Sequence, residues 1–312
     1  MRIGVTGGTG FIGQYLIRDY GDKYDFIVPI RNKSRAIQEG TGAKFIESDY
    51  TVDGLKRVLE GCDAVIHLAA RGMPKNRDPL KMEDYLPNVI ASANVFEACK
   101  EIGIDNVVSA SSKAVWGEQI EADLLNEKEI PGPGDEYGVS KLCGEMIAQF
   151  YNDHYGMKIK ILRMAEVCGL DLSRGMLNPF WAVLLNASAE GRPIPIYGRG
   201  AGGRDLIYVK DVTRAFVLAL DKDVEGIYNI GSGRITTNME IAEAFCKIFE
   251  NKGGIELHPE KEEWGTNKCL SIEKAKEELG FEISYGLLRI VEDIKQEHDS
   301  HKINEVKKKE MV

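Results

Sequence analysis

The sequence predicts an α/β fold built on a doubly wound parallel sheet. Short apolar and β-branched runs alternate with helical patterns through the first third of the chain, as expected when helices cover both faces of a parallel sheet. The runs are almost continuously apolar, as strands buried on both faces require. With 312 residues, the chain can form one large domain with an attached lobe, or two domains.

Each element follows from a local pattern. The predicted strands are short apolar runs, and they lie at 2–6, 25–30, 44–47, 64–70, 106–111 and 158–164. The predicted helices lie at 11–20, 80–102 and 137–155. Two prolines and two glycines make 129–136 a loop. After Gly169 the pattern changes, because the glycine- and proline-rich stretch 191–204 excludes a regular helix or central strand. Two more strands, 205–209 and 226–230, flank a helix that begins near Asp211.

Composition excludes several classes of protein. The net charge of −9 would repel nucleic acid and anionic membranes, so we expect neither as a partner. No apolar run approaches the ~20 residues that span a bilayer, and the first residues lack the apolar core of a secretory signal, so we expect a cytoplasmic location. The six cysteines form no CxxC pair and the five histidines show no ligand spacing, so we expect no metal site.

A glycine-rich segment, TGGTGFIG (6–13), follows the first strand and opens the first helix, with GxxGxxG spacing at Gly7, Gly10 and Gly13. Glycine lets a pyrophosphate approach main-chain N–H groups closely, and the helix N-terminus adds partial positive charge. This context predicts a dinucleotide site in a Rossmann-type fold. The alternative is a glycine-rich turn without a ligand.

The end of the second strand indicates which dinucleotide binds. NAD-binding proteins usually place a carboxylate here, whereas a guanidinium suits the 2′-phosphate of NADP. This chain has Arg31 and Asn32, with Lys33 and Arg35 nearby and no carboxylate before Glu39. We therefore expect NADP rather than NAD. The alternative is a solvated basic turn in an enzyme that uses NAD.

Tyr137 and Lys141 lie four residues apart on a predicted helix and therefore share one face. A nearby ammonium and an oxidised nicotinamide ring both favour the phenolate, so we expect a lowered pKa for Tyr137, which could then exchange a proton with a hydroxyl or ketone. Alone, this spacing is weak evidence. Ser111 and Ser112 end the fifth strand, where open α/β sheets bind ligands, and could hold the reacting oxygen; loop capping is the alternative.

Five motifs together identify a family. They occur in its order and spacing, and they are TGGTGFIG (6–13), HLAA (67–70), SASSKAVWG (109–117), YGVSK (137–141) and GGRDLIYVKDV (202–212). Over residues 1–295, the chain resembles the extended short-chain dehydrogenase/reductase family, and more narrowly its nucleotide-sugar epimerase/dehydratase group. The resemblance implies a seven-stranded Rossmann domain, a smaller C-terminal α/β substrate-binding lobe, and a homodimer built from the helices near 80–102 and 137–155.

The resemblance also implies roles for individual residues. The catalytic triad is Ser112, Tyr137 and Lys141. With Gly7, Gly10, Arg31 and Asn32 taken from the residue patterns above, the predicted cofactor contacts are Gly7, Gly10, Phe11, Ile12, Arg31, Asn32, Asp49, Tyr50, Leu68, Ala69, Ala70 and Lys141. The substrate is a nucleotide-diphosphate sugar, and its implied contacts are Ser111, Ser112, Glu166 and Arg204. The guanidinium of Arg204 suits the diphosphate, and Asn88 matches a structural asparagine.

The predicted domain division follows these motifs. Residues 1–165 and 205–231 form the NAD(P)-binding Rossmann domain. Residues 166–204 and 232–296 form the substrate-binding lobe, and 297–312 form a charged tail.

Three departures from the family pattern bear on function. Lys113 and Ala114 stand where sugar 4,6-dehydratases carry Asp-Glu, so we do not expect dehydration. Glu166 stands where an asparagine is common, near the cofactor or the sugar, and we expect it to affect which sugar is accepted. Arg31 replaces the acidic residue of typical epimerases.

Two enzyme interpretations remain. The first is an epimerase, acting at C4 by transient hydride transfer with Tyr137 as acid and base. The second, favoured by Arg31, is an NADPH-dependent reductase of a nucleotide-linked 4-keto sugar. The motif pattern as a whole favours the epimerase. A non-catalytic NADP(H)-binding sensor is a third interpretation, which the intact triad disfavours.

Overall fold

Seven strands form one parallel sheet at the centre of the computed structural model, which describes residues 1–32, 42–72, 81–117, 122–171, 175–176 and 179–310. Across the sheet the order is β13 (Gly226–Ile230), β7 (Lys158–Met164), β5 (Asn106–Ser112), β4 (Ala64–His67), β1 (Arg2–Thr6), β2 (Asp25–Ile30) and β3 (Lys44–Glu47). All six neighbouring pairs are parallel. The strand order reverses between β1 and β4, and ligands bind at the carboxyl ends of strands beside such a point.

Helices cover both faces of this sheet. On one face lie α1 (Phe11–Tyr20) and α6 (Val209–Leu220), whose apolar side chains join a core cluster with β1 and β2. On the other lie α2 (Val52–Leu59), α3 (Met82–Glu101) and α4 (Glu136–Tyr155), around a second cluster. The predicted doubly wound α/β sheet is confirmed.

A smaller α/β unit carries the remaining elements around a third core cluster that includes Trp181 and Phe245. Its helices are α5 (Pro179–Ala189), α7 (Asn238–Phe249) and α8 (Leu287–Glu310), and residues 275–279 form a π-helical turn. Its strand groups are β8 (Glu166–Cys168), β12 (Gly203–Tyr208) and β14 (Ile235–Thr237); β9 (Leu170–Asp171) and β10 (Gly175–Met176); and β11 (Ile194–Tyr197) and β15 (Ile255–His258). A further short pair joins β6 (Leu124–Leu125) to β16 (Cys269–Leu270).

Two elements differ from the predicted division. Residues 205–208 were expected in the Rossmann domain, but β12 pairs with β8 and β14 and not with the central sheet. The predicted charged tail begins at 297, yet α8 continues through that position to Glu310. The division into domains itself stays a prediction. In the part of the chain that the structure describes, no helix is both long and apolar enough to cross a membrane.

Candidate active site

The glycine-rich loop after β1 lies against the segment after β4. Gly7 has φ of +74°, and a Cβ there would lie 2.6 Å from the nitrogen of Ala69. Gly10 caps α1, and among the described residues this helix has no side-chain cap and no acidic residue in its first turn. The helix N-terminus therefore offers uncompensated partial positive charge beside a backbone that only glycine allows to come so close. This cradle fits the diphosphate of a dinucleotide.

Tyr50 and Arg31 meet at the ends of β2 and β3. The Tyr50 hydroxyl donates to the carbonyl of Pro29 at 2.9 Å, and burial raises its pKa. The Arg31 guanidinium lies 5.0 Å from the centroid of the Tyr50 ring. Asp49 accepts from the amide and hydroxyl of Thr51 at 3.0 and 2.7 Å, which lowers its pKa. Asn32 is exposed nearby.

Three charged residues of the NADP prediction, Lys33, Arg35 and Glu39, lie outside the described residues.

The segment after β4 is fixed from both sides. Leu68 donates its amide to the carbonyl of Thr6 at 3.0 Å, which keeps Leu68 and Ala69 beside the cradle, with Ala70 exposed. The side chain of Asn88 then bonds the amide and carbonyl of Arg71 at 2.7 and 3.0 Å. The same side chain bonds the Ser140 hydroxyl of α4 at 3.2 Å, so Asn88 connects this segment to the helix that carries Tyr137. Phe11 and Ile12, both half-buried, begin α1.

Helix α4 brings Ser112, Tyr137 and Lys141 together. A Cβ on Gly138 would lie 2.2 Å from the carbonyl oxygen of Ala114, so only glycine lets α4 pack so closely on the turn after Ser112. The Ser112 side chain hydrogen-bonds Tyr137 and also accepts the amide of Ala114, so it caps the turn as well. Lys141 lies with Nζ 5.9 Å from the Tyr137 ring centroid. Its ammonium donates to the carbonyl of Ala110 at 2.9 Å.

Burial dominates the electrostatics of this trio. It raises the pKa of Tyr137 to about 12, while the Ser112 hydrogen bond lowers it. Burial also lowers the pKa of Lys141 to about 8, partly opposed by the charge of Glu145. In the protein alone, the pKa of Tyr137 therefore moves opposite to the expected direction. The reason is that desolvation of the phenolate outweighs its stabilising contacts.

The Ser111 side chain is almost fully buried and bonds an acidic residue of α4. It is 2% exposed, and its hydroxyl donates to Glu145 Oε1 at 2.5 Å. Glu145 in turn accepts from Arg163 Nε, at 2.9 Å and 3.2 Å, and from Arg163 Nη2 at 2.6 Å. Successive strand residues point to opposite faces, so the side chains of Ser111 and Ser112 lie on opposite faces of β5. The Ser111 hydroxyl is thus bonded to a buried ion pair, and its substrate contact stays a prediction.

Glu145 and Arg163 are absent from the predicted site. Glu145 lies four residues after Lys141 on α4, so Tyr137, Lys141 and Glu145 share one helical face. The four-residue spacing of Tyr137 and Lys141, continued by one more step, would have predicted Glu145 as a neighbour of Lys141. Arg163 comes from β7, and nothing local in its sequence indicates the pairing.

Arg204 and Glu166, two predicted substrate contacts, form an ion pair with each other. Arg204 Nη1 lies 3.0 Å from Glu166 Oε1, and Nη2 donates to Asn238 Oδ1 at 3.0 Å. The guanidinium lies 4.5 Å from the ring centroid of Phe180 and 5.1 Å from that of Trp264. Asn238, Phe180 and Trp264 come from distant segments, so no local pattern predicts that they surround Arg204.

The pair lies next to the catalytic strand end. Glu166 is two residues beyond Met164, which pairs with Ser112 across β5 and β7. The ion pair therefore lies at the same edge of the sheet as the trio.

A UDP-N-acetylglucosamine 4-epimerase from Bacillus cereus has a closely similar structure. It is 32% identical, with 94% of this chain and 98% of that chain covered and a TM-score of 0.81. A UDP-glucuronic acid 4-epimerase from Bacillus cereus, solved in complex with UDP-glucuronic acid and NAD, is 26% identical. Here 95% of this chain and 99% of that chain are covered, with a TM-score of 0.79. These relatives support the predicted epimerase more than the predicted reductase.

The preference for NADP over NAD is wrong, because the structural relatives that are solved with a cofactor hold NAD. The inference relied on a guanidinium available to a 2′-phosphate. In the structure, the Arg31 guanidinium instead faces the Tyr50 ring. A basic strand end is therefore not sufficient to indicate NADP.

Among curated proteins, a trifunctional UDP-glucose 4,6-dehydratase/UDP-4-keto-6-deoxy-D-glucose 3,5-epimerase/UDP-4-keto-L-rhamnose reductase of Arabidopsis thaliana is 28% identical over 263 residues. The match covers 78% of this chain but spans only 39% of the plant protein's length.

The family model for NAD dependent epimerases and dehydratases matches residues 3–231. That range contains all five motifs, the glycine cradle and the Ser112, Tyr137 and Lys141 trio. The family model, the fold shared with the solved relatives and the sequence identities to them all agree with the resemblance that the motifs indicate. The chain belongs to the NAD dependent epimerase/dehydratase family.

Proposed function

We propose that the protein is a UDP-sugar 4-epimerase that uses NAD. The observation that carries this proposal is the convergence of Ser112, Tyr137 and Lys141 beside the Gly7 cradle at the carboxyl edge of the sheet. Two structurally similar relatives are 4-epimerases of UDP-sugars, and one is solved with NAD, which supports the nucleotide, the carbon and the cofactor.

The cradle suits NAD on physical grounds. Its diphosphate would lie at the N-terminus of α1, against Gly7 and Gly10, where a side chain would block the approach. The further proposed contacts are Phe11, Ile12, Arg31, Asn32, Asp49, Tyr50, Leu68, Ala69, Ala70 and Lys141. When bound, NAD accepts hydride from the sugar and returns it.

Side chains of the protein itself carry out the proton transfer. Tyr137 takes the proton of the C4 hydroxyl and later returns it, while Ser112 holds the same oxygen through its hydroxyl. The pKa of Lys141, about 8, keeps its ammonium charged at pH 7, which favours the phenolate of Tyr137. Lys113 and Ala114 offer no carboxylate beside the sugar, so elimination of water lacks its acid and base. The arrangement therefore favours epimerisation over dehydration.

Replacing Tyr137 with Phe tests this assignment. We expect UDP-sugar turnover to fall about 10²–10⁴-fold, because the general acid and base is lost, while NAD stays bound. Turnover is measured without added nucleotide, and bound NAD by its release on denaturation. Tyr155→Phe, an exposed position on the same helix, is the matched control and retains activity. Unchanged turnover in Tyr137→Phe, or stoichiometric oxidation of added NADPH by the wild type, would contradict the proposal.

The proposal includes a homodimer in the cytoplasm. Helix α3 exposes Leu86 and Ile90, at 47% and 57%, and α4 exposes Met146 and Phe150, at 66% and 47%. Each pair is spaced i, i+4, so each helix presents an apolar face, and the two helices pack against each other. A second copy of the chain would cover these faces. All six cysteines are free thiols, which suits a reducing compartment.

Ile90→Glu tests the assembly by light scattering in solution. We expect a monomer, because a charge would be buried in the proposed interface. Ile130→Glu, at a position 86% exposed and outside both helices, should leave a dimer. A monomeric wild type would disprove the assembly without affecting the proposed activity.

A further inference from the structure

Glu166 forms an ion pair with Arg204, the residue whose guanidinium the family resemblance assigns to the substrate diphosphate. The carboxylate lies 3.0 Å from Arg204 Nη1, and the two side chains are 18% and 3% exposed. A guanidinium attracts a phosphate through its charge and its paired N–H donors. In this pair, Glu166 already neutralises the charge of Arg204 and accepts a hydrogen bond from its Nη1. A diphosphate approaching Arg204 therefore meets a neutral pair that contains a carboxylate.

The guanidinium itself is held rigidly. The rings of Phe180 and Trp264 lie on it, and Asn238 accepts from Nη2. Asn238 is fixed in turn, because its Nδ2 donates to the carbonyl of Trp264 at 2.8 Å. Within the described parts of the chain, the buried Nε of Arg204 has no hydrogen-bond partner, so the arginine has donor capacity left for a ligand. Arg204 is therefore preorganised.

Glu166 is the more exposed partner, so the opening of the cleft is on its side of the ion pair. It starts the three-residue strand β8, directly after the strand end that pairs with Ser112. A phosphate that enters from the cleft reaches Nη1 by taking the place of the carboxylate. Two anions at one guanidinium edge repel each other strongly where water is scarce. The carboxylate and the phosphate are therefore alternatives.

We propose that Glu166 competes with the substrate diphosphate for Arg204 and so sets the affinity of the site. The proposal rests on the proposed function, and on the diphosphate contact that the family resemblance implies for Arg204. Binding exchanges one ion pair for another, with Glu166 turning away as the phosphate oxygens take its place. Part of the binding free energy is used to separate Glu166 from Arg204. Nucleotide diphosphates are therefore released more readily than from a site without this carboxylate. The effect grows with phosphate charge and is absent for a ligand without phosphate.

Glu166→Gln tests the competition, because glutamine keeps the shape and one acceptor but removes the charge. Binding of UDP and of uridine to the NAD-loaded protein is measured by calorimetry. We expect Kd for UDP to fall about tenfold or more, with uridine affinity unchanged. Glu190→Gln is the matched control, since Glu190 is 57% exposed and pairs with Arg192. It removes one negative charge from the protein and should leave Kd for UDP at the wild-type value.

Arg204→Gln separates the two proposals. We expect it to weaken UDP binding strongly; binding at the wild-type level would overturn the diphosphate contact and, with it, the competition. If Arg204→Gln loses UDP binding while Glu166→Gln binds UDP as the wild type does, or more weakly, the competition alone is overturned. Glu166→Asn provides a second charge-removing variant, should the glutamine variant fold poorly. Its UDP affinity is expected to rise in the same way, and a fall would count against the proposal.

Discussion

At the residue scale, Lys141 is a functional group that destabilises the fold. Burial lowers its pKa from 10.5 to about 8, so the charged form is less favourable in the folded protein than in the unfolded chain. At 1.36 kcal/mol per pKa unit, the charged Lys141 lowers the free energy of unfolding by about 3 kcal/mol below pH 8. It shrinks as pH rises from 8 to 10.5 and vanishes above, because the lysine is then neutral in both states.

Replacing Lys141 with Met should therefore stabilise the protein while abolishing turnover. We expect unfolding in urea at pH 7 to require about 1–3 kcal/mol more, since the lost bond to the Ala110 carbonyl offsets part of the gain. The gain should fade above pH 10. Lys128→Met, at an exposed loop position, should change stability by less than about 0.5 kcal/mol. A destabilised Lys141→Met at pH 7 would show that the ammonium is well solvated or paired in the fold.

Local spacing decides which site residues can be predicted. Tyr137 and Lys141 are one helical turn apart, and Ser112 ends a strand at the ligand edge, so their positions follow from sequence. The environment of Arg204 does not, because Phe180, Asn238 and Trp264 meet only after folding. The direction of the Tyr137 pKa also depends on burial, which spacing does not give.

At the element scale, the buried Glu145–Arg163 pair joins α4 to β7, and through Ser111 to β5. Both side chains are less than 5% exposed, and Arg163 also lies 4.4 Å from the Trp116 ring centroid. Removing one member of such a pair leaves an unpaired buried charge, whereas replacing both with apolar residues is often neutral. The pair therefore acts as a unit that holds three elements around the catalytic trio.

We expect Arg163→Met to destabilise the fold by about 3–5 kcal/mol in urea unfolding, because Glu145 would be buried without its partner. The double variant with Glu145→Met should recover most of that loss. Turnover in the double variant should fall at alkaline pH, since Glu145 raises the pKa of Lys141 and its loss lets the ammonium deprotonate earlier. A double variant whose loss in unfolding free energy equals the sum of the two single losses would contradict the coupling.

The same scale shows where element prediction fails. The central strands were predicted because each is an apolar run with its own length and boundary. Strand β12 lies within two residues of its predicted bounds. Its sheet was not predicted, because pairing with β8 and β14 depends on contacts remote in sequence. Apolar character fixes that a strand is buried, and not which neighbour it pairs with.

At the scale of the whole molecule, the C-terminal helix connects the smaller unit to the cofactor helix. Glu297 of α8 accepts from the Tyr15 hydroxyl and from Arg18 Nη1 of α1, the latter at 2.9 Å. One turn earlier, Asp293 accepts from Tyr208 at 2.7 Å and from Lys210 at 2.5 Å. Burial and the carboxylate of Glu297 raise the pKa of Tyr15. Through these bonds, α8 contacts α1 at Glu297, where the charged tail is predicted to begin.

Shortening the chain tests this connection. A chain that ends at Gln296 loses Glu297. Among the residues that the structure describes, the hydroxyl of the buried Tyr15 then keeps the Leu170 carbonyl as its hydrogen-bond partner. We expect a loss of about 1–3 kcal/mol in unfolding free energy, because buried polar groups lose a partner, and weaker NAD binding, because α1 carries the cradle at its other end. A chain that ends at Ser300 keeps Glu297 and its contacts, and should retain most of the stability and the NAD affinity. Equal stability of the two shortened chains would show that the helix contributes nothing through Glu297, since only the first of them removes its bonds to α1.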